Sequence, residues 1–315
     1  MSRWQRQGRI FPAPEGPPTP AWMGTHAALP YAVVAGERGA RVYFSGRDPQ
    51  GRSHVGACTL DLDSLRAAPE SLTPEPLLAP GPLGSFDDCG CSVACLVQDA
   101  GRLLLYYTGW TRAGTVPFHL AVGLAASEDG GRTFQRLSPA PVLGRHEVDP
   151  YLCASPSVLV ENGRWRMWYV SALRWEPRPD GARHHYLIKY AESADGIEWR
   201  RDGRIAVGFA SPEEYAMGRP HVVREGDLYR MWFCVRGTSY RLACAESRDG
   251  LEWQRLEPPQ GIAEAAEEWD REMQAYPMVL RDRGRWLMLY NGNGYGATGF
   301  GAATMPDRPS LEETP

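Results

Sequence analysis

No stretch of this 315-residue chain is long and apolar enough to span a bilayer, and no apolar run follows Arg3, Arg6 and Arg9 to make a secretory signal. Neither a membrane-embedded nor an exported protein is expected, and the default location is the cytoplasm. Net positive charge is missing too. The balance is −4 at pH 7, without the dense cationic footprint that a sequence-independent grip on nucleic acid needs. The seven cysteines are scattered; Cys89, Cys91 and Cys95 form the only cluster, and no second Cys/His pair at finger spacing completes a zinc site. They read as reduced, mostly buried thiols, and neither a metal nor a cofactor is implied.

What is present is glycine (34), proline (27) and tryptophan (11), in a chain that is 43% hydrophobic. Many turns and many aromatic anchors suit an all-β protein better than a helical one. Five short β-prone runs share a register: "ALPYAVV" (28–34), "CSVACLV" (91–97), "ASPSVLV" (154–160), "GRPHVV" (218–223) and "AYPMVL" (275–280). They align on Pro30, Val93, Pro156, Pro220 and Pro277, in steps of 63, 63, 64 and 57 residues. A second strand follows each, as in "LLLYYTGW" (103–110) and "WRMWYVSA" (165–172), then a third. Three of the units continue through a turn into a fourth: "SEDGGRTFQRL" (127–137), "SADGIEWRRDGRI" (193–205) and "SRDGLEWQRL" (247–256).

Four antiparallel strands per repeat make a propeller blade, and five repeats make a five-bladed β-propeller in one domain, residues 1–315. The fifth repeat ends without a fourth strand. "RWQRQGRI" (3–10) nearly repeats "EWRRDGRI" (198–205), so the N-terminal strand is expected to complete the last blade and cover two open edges. The proline-rich stretch 12–20 then reads as a connector into blade one.

This register maps a site. Residues just before the first strand and just after the second ring one mouth of the central channel. Before strand one stand His26, Asp87-Asp88, Asp149, Glu213-Glu214 with Arg219 and His221 beyond, and Asp270 with Glu272 and Tyr276. After strand two stand Arg47-Asp48, Trp110, Arg174-Trp175-Glu176, Arg236, and Asn291 with Asn293. Aromatic faces with carboxylates and amides are what sugar recognition requires, and paired carboxylates supply the acid and base of glycosidic cleavage. The alternative for each charge is a structural ion pair. His26, His221 and Glu272 read as channel hydrogen-bonding groups rather than a metal set. Residues 174–185 read as a long loop between strands.

The chain from residue 3 to about 305 resembles the five-bladed propeller glycoside hydrolases, the superfamily of invertases, levansucrases, arabinanases, β-xylosidases and mannoside phosphorylases. The likeness rests on the five repeats, the strand closure, the "YYTGW"-type second strands and the "AESxDGxxW" turns. It implies three acids at the starts of first strands, matched here by Asp88, Asp149 and Glu214. Glu214 would be the general acid, with Tyr215 and Met217 beside it, and Asp88 or Asp149 the base. The superfamily's acids begin on blade one, where this chain has His26. The first-blade run containing "GRDPQG" (46–51) is similar to the mannoside phosphorylases, which bind phosphate through basic residues and need one acid. "SEDGGRTF" (127–134) matches the sialidase Asp-box and reads as a structural turn.

The expected function is cleavage of a glycosidic bond, by hydrolysis or phosphorolysis, in a small intracellular glycoside. Substrate-binding residues would be His26, Arg47, Asp48, Trp110, Arg174, Trp175, Arg219, His221, Arg236, Glu272, Tyr276, Asn291 and Asn293. Arg47, Arg174, Arg219 and Arg236 raise two alternatives: an enzyme for an acidic, phosphorylated or nucleotide-linked sugar, or a sugar-binding propeller without chemistry. The partner is a small sugar or sugar derivative, with no nucleic acid and no membrane.

Overall fold

The computed structural model describes residues 4–14, 19–179, 181–256, 261–262 and 267–307. Arg3 and residues 15–18 of the proline-rich connector lie outside them. Among the described residues no helix is long and apolar enough to cross a membrane, and the chain is built almost wholly of strands. They pair in sequence order as four-stranded antiparallel units. Unit 1 is β2 (Thr25–Ala35), β3 (Gly39–Arg47), β4 (Ser53–Asp61) and β5 (Arg66–Ala68); unit 2 is β6 (Gly90–Asp99), β7 (Arg102–Arg112), β8 (Phe118–Ser127) and β9 (Gln135–Arg136). Unit 3 is β10 (Cys153–Glu161), β11 (Arg164–Arg178), β12 (Gly181–Ser193) and β13 (Ile205–Val207). Unit 4 is β14 (Ala216–Glu225), β15 (Leu228–Arg236), β16 (Tyr240–Ser247) and β17 (Gln254–Arg255). The last sheet is β18 (Ala275–Asp282), β19 (Arg285–Asn291), β20 (Phe300–Pro306) and, from the other end of the chain, β1 (Gln5–Phe11). Strand β1 pairs antiparallel with β20, from Gln5↔Thr304 to Phe11↔Phe300.

The first strands neighbour one another in a cycle, β2 to β6 to β10 to β14 to β18 and back to β2. Apolar clusters fill the spaces between neighbouring units, and the two-residue pleat explains how one strand serves two of them. On β7, Leu103, Leu105 and Tyr107 pack toward unit 1, while Leu104 and Tyr106 pack toward unit 3. The run "LLLYY" is continuous because both faces are buried. Between the last unit and unit 1, Phe11 stacks on Phe300 at 5.2 Å and leans on Phe44 at 5.1 Å.

Each first strand carries a bulge at its register position. The bulged backbone amide is taken up by the preceding unit: Leu29 N–H donates to Asn291 Oδ1 (2.7 Å), Val93 N–H to Ser45 Oγ (3.0 Å) and Ser155 N–H to Thr108 Oγ1 (2.9 Å). Each of these bonds satisfies a backbone donor that the bulge takes out of the ladder.

The Ser-x-Asp-Gly turns are structural. In "SEDGGRTF", Ser127 Oγ accepts the Gly131 amide at 2.8 Å, and Asp129 accepts the amides of Arg132 and Thr133. The Gly131 carbonyl then receives the Tyr43 hydroxyl of unit 1, as Gly196 receives Tyr106 and Gly250 receives the Trp168 indole. Every such turn thus pins its unit to the one before. Gly131 has φ +87°, and a Cβ there would lie 1.9 Å from Tyr43 Oη. Gly131→Ala is expected to cost about 1–3 kcal/mol, read as a lowered urea midpoint; an unchanged midpoint would remove the turn from this role.

Residues 174–178 and 181–185, expected as part of a loop, are strand. Strands β11 and β12 continue through them as a paired ribbon, with Arg174↔His185, Trp175↔His184 and Glu176↔Arg183 in register. Glu176 holds it by accepting from Arg183 (2.7 Å) and His185 (2.7 Å).

Candidate functional site

The acids preceding the first strands are the natural starting point, and their surroundings are alike. Asp87 accepts Tyr107 Oη (3.0 Å) and Arg136 Nε (2.8 Å). Asp149 accepts Tyr169 Oη (2.9 Å), Arg201 Nη1 (3.0 Å) and Ser171 Oγ (2.6 Å), and pairs with Lys189, the chain's only lysine, at 3.1 Å. Asp270 accepts Tyr290 Oη (2.8 Å) and pairs with Arg6 at 3.0 Å. Glu214 sits in the guanidinium fork of Arg255, at 2.6 and 2.9 Å, where Phe233 replaces the tyrosine. In unit 1, Phe44 holds that place and packs with Trp22 and Met23. An acid, a second-strand tyrosine and an arginine on or just before the fourth strand thus form a recurring clamp across each unit that has one.

Asp149 and Glu214, two of the three expected catalytic acids, are both held in such clamps. Asp149 is 0% exposed. Burial alone would raise its carboxyl; the Ser171 hydrogen bond, the Lys189 charge and the Tyr169 hydroxyl outweigh that and hold it below the usual carboxylate range. Both of its oxygens are engaged by these partners. Glu214 spends both oxygens on Arg255 and accepts the Ala210 amide as well. Asp88 is different. It is partly exposed, accepts the Gly84 amide at 2.9 Å, and precedes Cys89, whose N–H donates to the carbonyl of Trp110. Burial opposes its ionisation, but Thr111 and the Gly84 amide prevail and hold its carboxyl below the usual range.

The mouth of the ring opens into a cavity of about 440 Å³. Its walls come from the first strands (Ala28, Leu29, Ser92, Ala154, Ser155, Gly218, Tyr276), the second strands (Ser45, Arg47, Thr108, Trp110, Val170, Arg236) and the starts of the third (Ser53, Phe118, Leu120, His184, Tyr186, Tyr240), with Tyr295 from the turn after β19. No aspartate or glutamate is among these described lining residues. The volume suits a small molecule, and the mixture of rings and hydroxyls suits a polar one.

Two guanidinium groups face this space. Arg236 lies over the rings of Tyr215 (5.5 Å), Tyr240 (5.5 Å) and Tyr295 (5.9 Å), and its Nη1 donates to Tyr295 Oη at 2.7 Å. Its neighbours are rings rather than acids. Arg47 ends β3 beside His26, and burial together with the Arg47 charge lowers His26 to about 4. Burial first, then Arg236, lowers His184 to about 4 as well. Both imidazoles are therefore neutral near pH 7, and the arginines carry the positive charge. On the other wall His184 stacks on Tyr186 at 4.3 Å with 10° between planes, and Phe118 meets Trp175 edge-on at 5.4 Å. Tyr186 and Tyr240 share a hydroxyl hydrogen bond of 2.5 Å.

Of the expected binding residues, Arg47, Trp110, Arg236 and Tyr276 line the cavity. His26 lies beside Arg47, and Trp175 backs the wall through Phe118 and His184. Asp48 does not reach the cavity; it closes its own hairpin by accepting from Arg52 (2.8 Å) and His54 (3.0 Å). Asn291 is spent on the carbonyls of Ala27 and Gly299 and the amide of Leu29, and His221 on the carbonyl of Val279. Asn293 caps the amides of Glu272 and Met273, while the Glu272 and Arg174 side chains are exposed outside the lining. Arg219 is fully buried and is not among the lining residues. Tyr186, Tyr240 and Phe118 were legible only as the opening residues of third strands, the position where the chain leaves the mouth.

No protein-family model matches the sequence. The architecture is similar to a solved glycoside hydrolase, with a TM-score of 0.73 and 17% identity over 99% of this chain and 96% of the other. It is also similar to the β-1,2-mannobiose phosphorylase of Listeria innocua, with a TM-score of 0.69 and 10% identity over 97% and 96% of the two chains. The fold is that of the glycoside hydrolase-like β-propellers. In sequence, the chain is 43% identical over 302 residues to the uncharacterized protein Rv1502 of Mycobacterium tuberculosis (strain ATCC 25618 / H37Rv), spanning 96% of this chain and 99% of that one. The chain belongs to the family of that mycobacterial protein.

Proposed function

We propose that residues 1–315 form a single five-bladed propeller whose central cavity binds a small sugar derivative bearing an anionic group. The observation that carries this reading is the cavity wall itself: two guanidinium groups, Arg47 and Arg236, among aromatic rings, with no carboxylate among the described lining residues. Ring faces cover the apolar face of a sugar, the hydroxyls of Ser53, Ser92, Thr108 and the tyrosines meet its hydroxyls, and guanidinium forks suit a carboxylate or phosphate. The clamped acids are structural in this reading.

Cleavage of a glycosidic bond is the second reading, and Asp88 favours it. It is the one acid of the three assigned to catalysis that is neither fully buried nor paired with an arginine, and its lowered carboxyl suits a base rather than an acid. Likeness to a mannobiose phosphorylase supports a reaction in which the anion is inorganic phosphate.

A thermal-shift screen of neutral oligosaccharides, uronic acids, sugar phosphates and nucleotide sugars tests the first reading. A ligand at about 100 times its Kd adds roughly 2.7 kcal/mol of stability. Shifts confined to anionic sugars are expected, with Arg47→Met and Arg236→Met each weakening the bound anion by about 1.5–3 kcal/mol. Shifts with neutral oligosaccharides alone would refute it. Turnover that disappears in Asp88→Asn would establish the second.

A further inference from the structure

Arg219 is a charge that the clamps do not explain. Its side chain is 0% exposed, its main electrostatic neighbours are Tyr31, Cys95, Cys234 and Tyr276, and among the described residues it pairs with no carboxylate. Nη2 donates to the carbonyl of Pro30 at 3.1 Å, while Nε and Nη1 have no hydrogen-bond partner among the described residues. Burial lowers it to about 10, so it remains charged near neutral pH. A buried guanidinium without a counter-charge is costly to a fold, and chains keep one where something else uses it.

Its place in the repeat says what that use is. The residue before the register position on the five first strands is Leu29, Ser92, Ser155, Arg219 and Tyr276. All but Ser92 have a left-handed backbone, with φ of 56°, 47°, 48° and 58°, a costly conformation that turns these residues toward the axis at each bulge. The other four line the cavity. Arg219 is the fifth member of that floor ring, and its guanidinium reaches across from unit 4 to Pro30, next to the cavity residue Leu29.

We infer that Arg219 is the buried counter-charge for the ligand's anionic group, a carboxylate or a phosphate seated on the floor ring. The inference rests on the anionic-sugar reading of the cavity and names the source of its charge selectivity. Arg219 acts through the floor as a positioning residue: with little water between, its field is poorly screened at the cavity and draws the anion to the bottom.

The test is isothermal titration of the full chain, wild type, Arg219→Met and Arg219→Lys. Glucuronate and glucose 1-phosphate serve as carboxylate and phosphate probes, and methyl glucoside as the uncharged control. Arg219→Met is expected to weaken whichever anionic probe the wild type binds by about tenfold or more. It should leave methyl glucoside unchanged and raise the melting temperature of the ligand-free chain. Arg219→Lys should retain most of the preference for the anion. If the methionine variant does not fold, Arg219→Gln keeps a donor for Pro30 without the charge and gives the same comparison. Unchanged anion affinity overturns the inference alone, as does a lower melting temperature with all probes weakened equally. A wild-type chain that binds neither anionic probe overturns the cavity reading and this inference together.

Discussion

Removal of residues 1–11 is expected to abolish the cooperative unfolding transition. Strand β1 is the outer strand of the sheet it completes, paired with β20 along its length. Trp4 is wholly buried against Trp232 at 6.2 Å, and Phe11 lies between Phe44 and Phe300. Losing each aromatic costs about 3–5 kcal/mol. Losing Arg6 strands the buried Asp270 and Tyr290, and breaking such a pair costs about 3–5 kcal/mol more. These losses match the whole stability of an ordinary domain, about 5–15 kcal/mol, before the bared edge of β20 is considered. Circular dichroism melts of the shortened and full chains make the comparison. A shortened chain that melts as the full one does would show that the ring does not depend on this strand.

Asp149→Ala is expected to lower stability by about 3–5 kcal/mol, because Lys189 and Arg201 would be left buried without their counter-charge. The effect depends on pH in a definite direction. The folded-state carboxyl is held below its unfolded value, which is about 3.9. Its stabilisation is therefore fully present above the unfolded value and is lost as pH falls through the folded one. Urea midpoints of wild type and Asp149→Asn should differ most near neutral pH and converge in acid below about pH 4. A stably folded Asp149→Ala chain that has lost turnover would reverse the assignment and return Asp149 to catalysis.

The contrast between Asp88 and Asp149 shows what a linear reading can carry. Both precede a first strand, and both match the same acid pattern. Only the fold reveals that Asp149 meets Arg201, Glu214 meets Arg255, and Asp270 meets Arg6 from the far end of the chain. The clamp leaves a faint trace in sequence, as a tyrosine or phenylalanine at 44, 107, 169, 233 and 290. Its arginine stands at no constant distance from its acid, so spacing does not expose it. The ribbon 174–185 was obscured for a related reason: Arg, Glu, Pro and His in succession read as a loop, but cross-strand pairing of Glu176 with Arg183 and His185 holds them as strand. Tertiary pairing overrode local propensity there.

The sequence by itself determined the repeat, the turns and the strands outside the 174–185 ribbon. Alternating burial writes a two-residue period, and the turns demand glycine, serine and aspartate at set places. Tertiary structure alone decided which polar side chains face the cavity and which are consumed in holding it open. A carboxylate before a first strand is a candidate base or a structural anchor according to whether an arginine reaches it. That arginine arrives on another strand, positioned by packing and hydrogen bonding that no local pattern records.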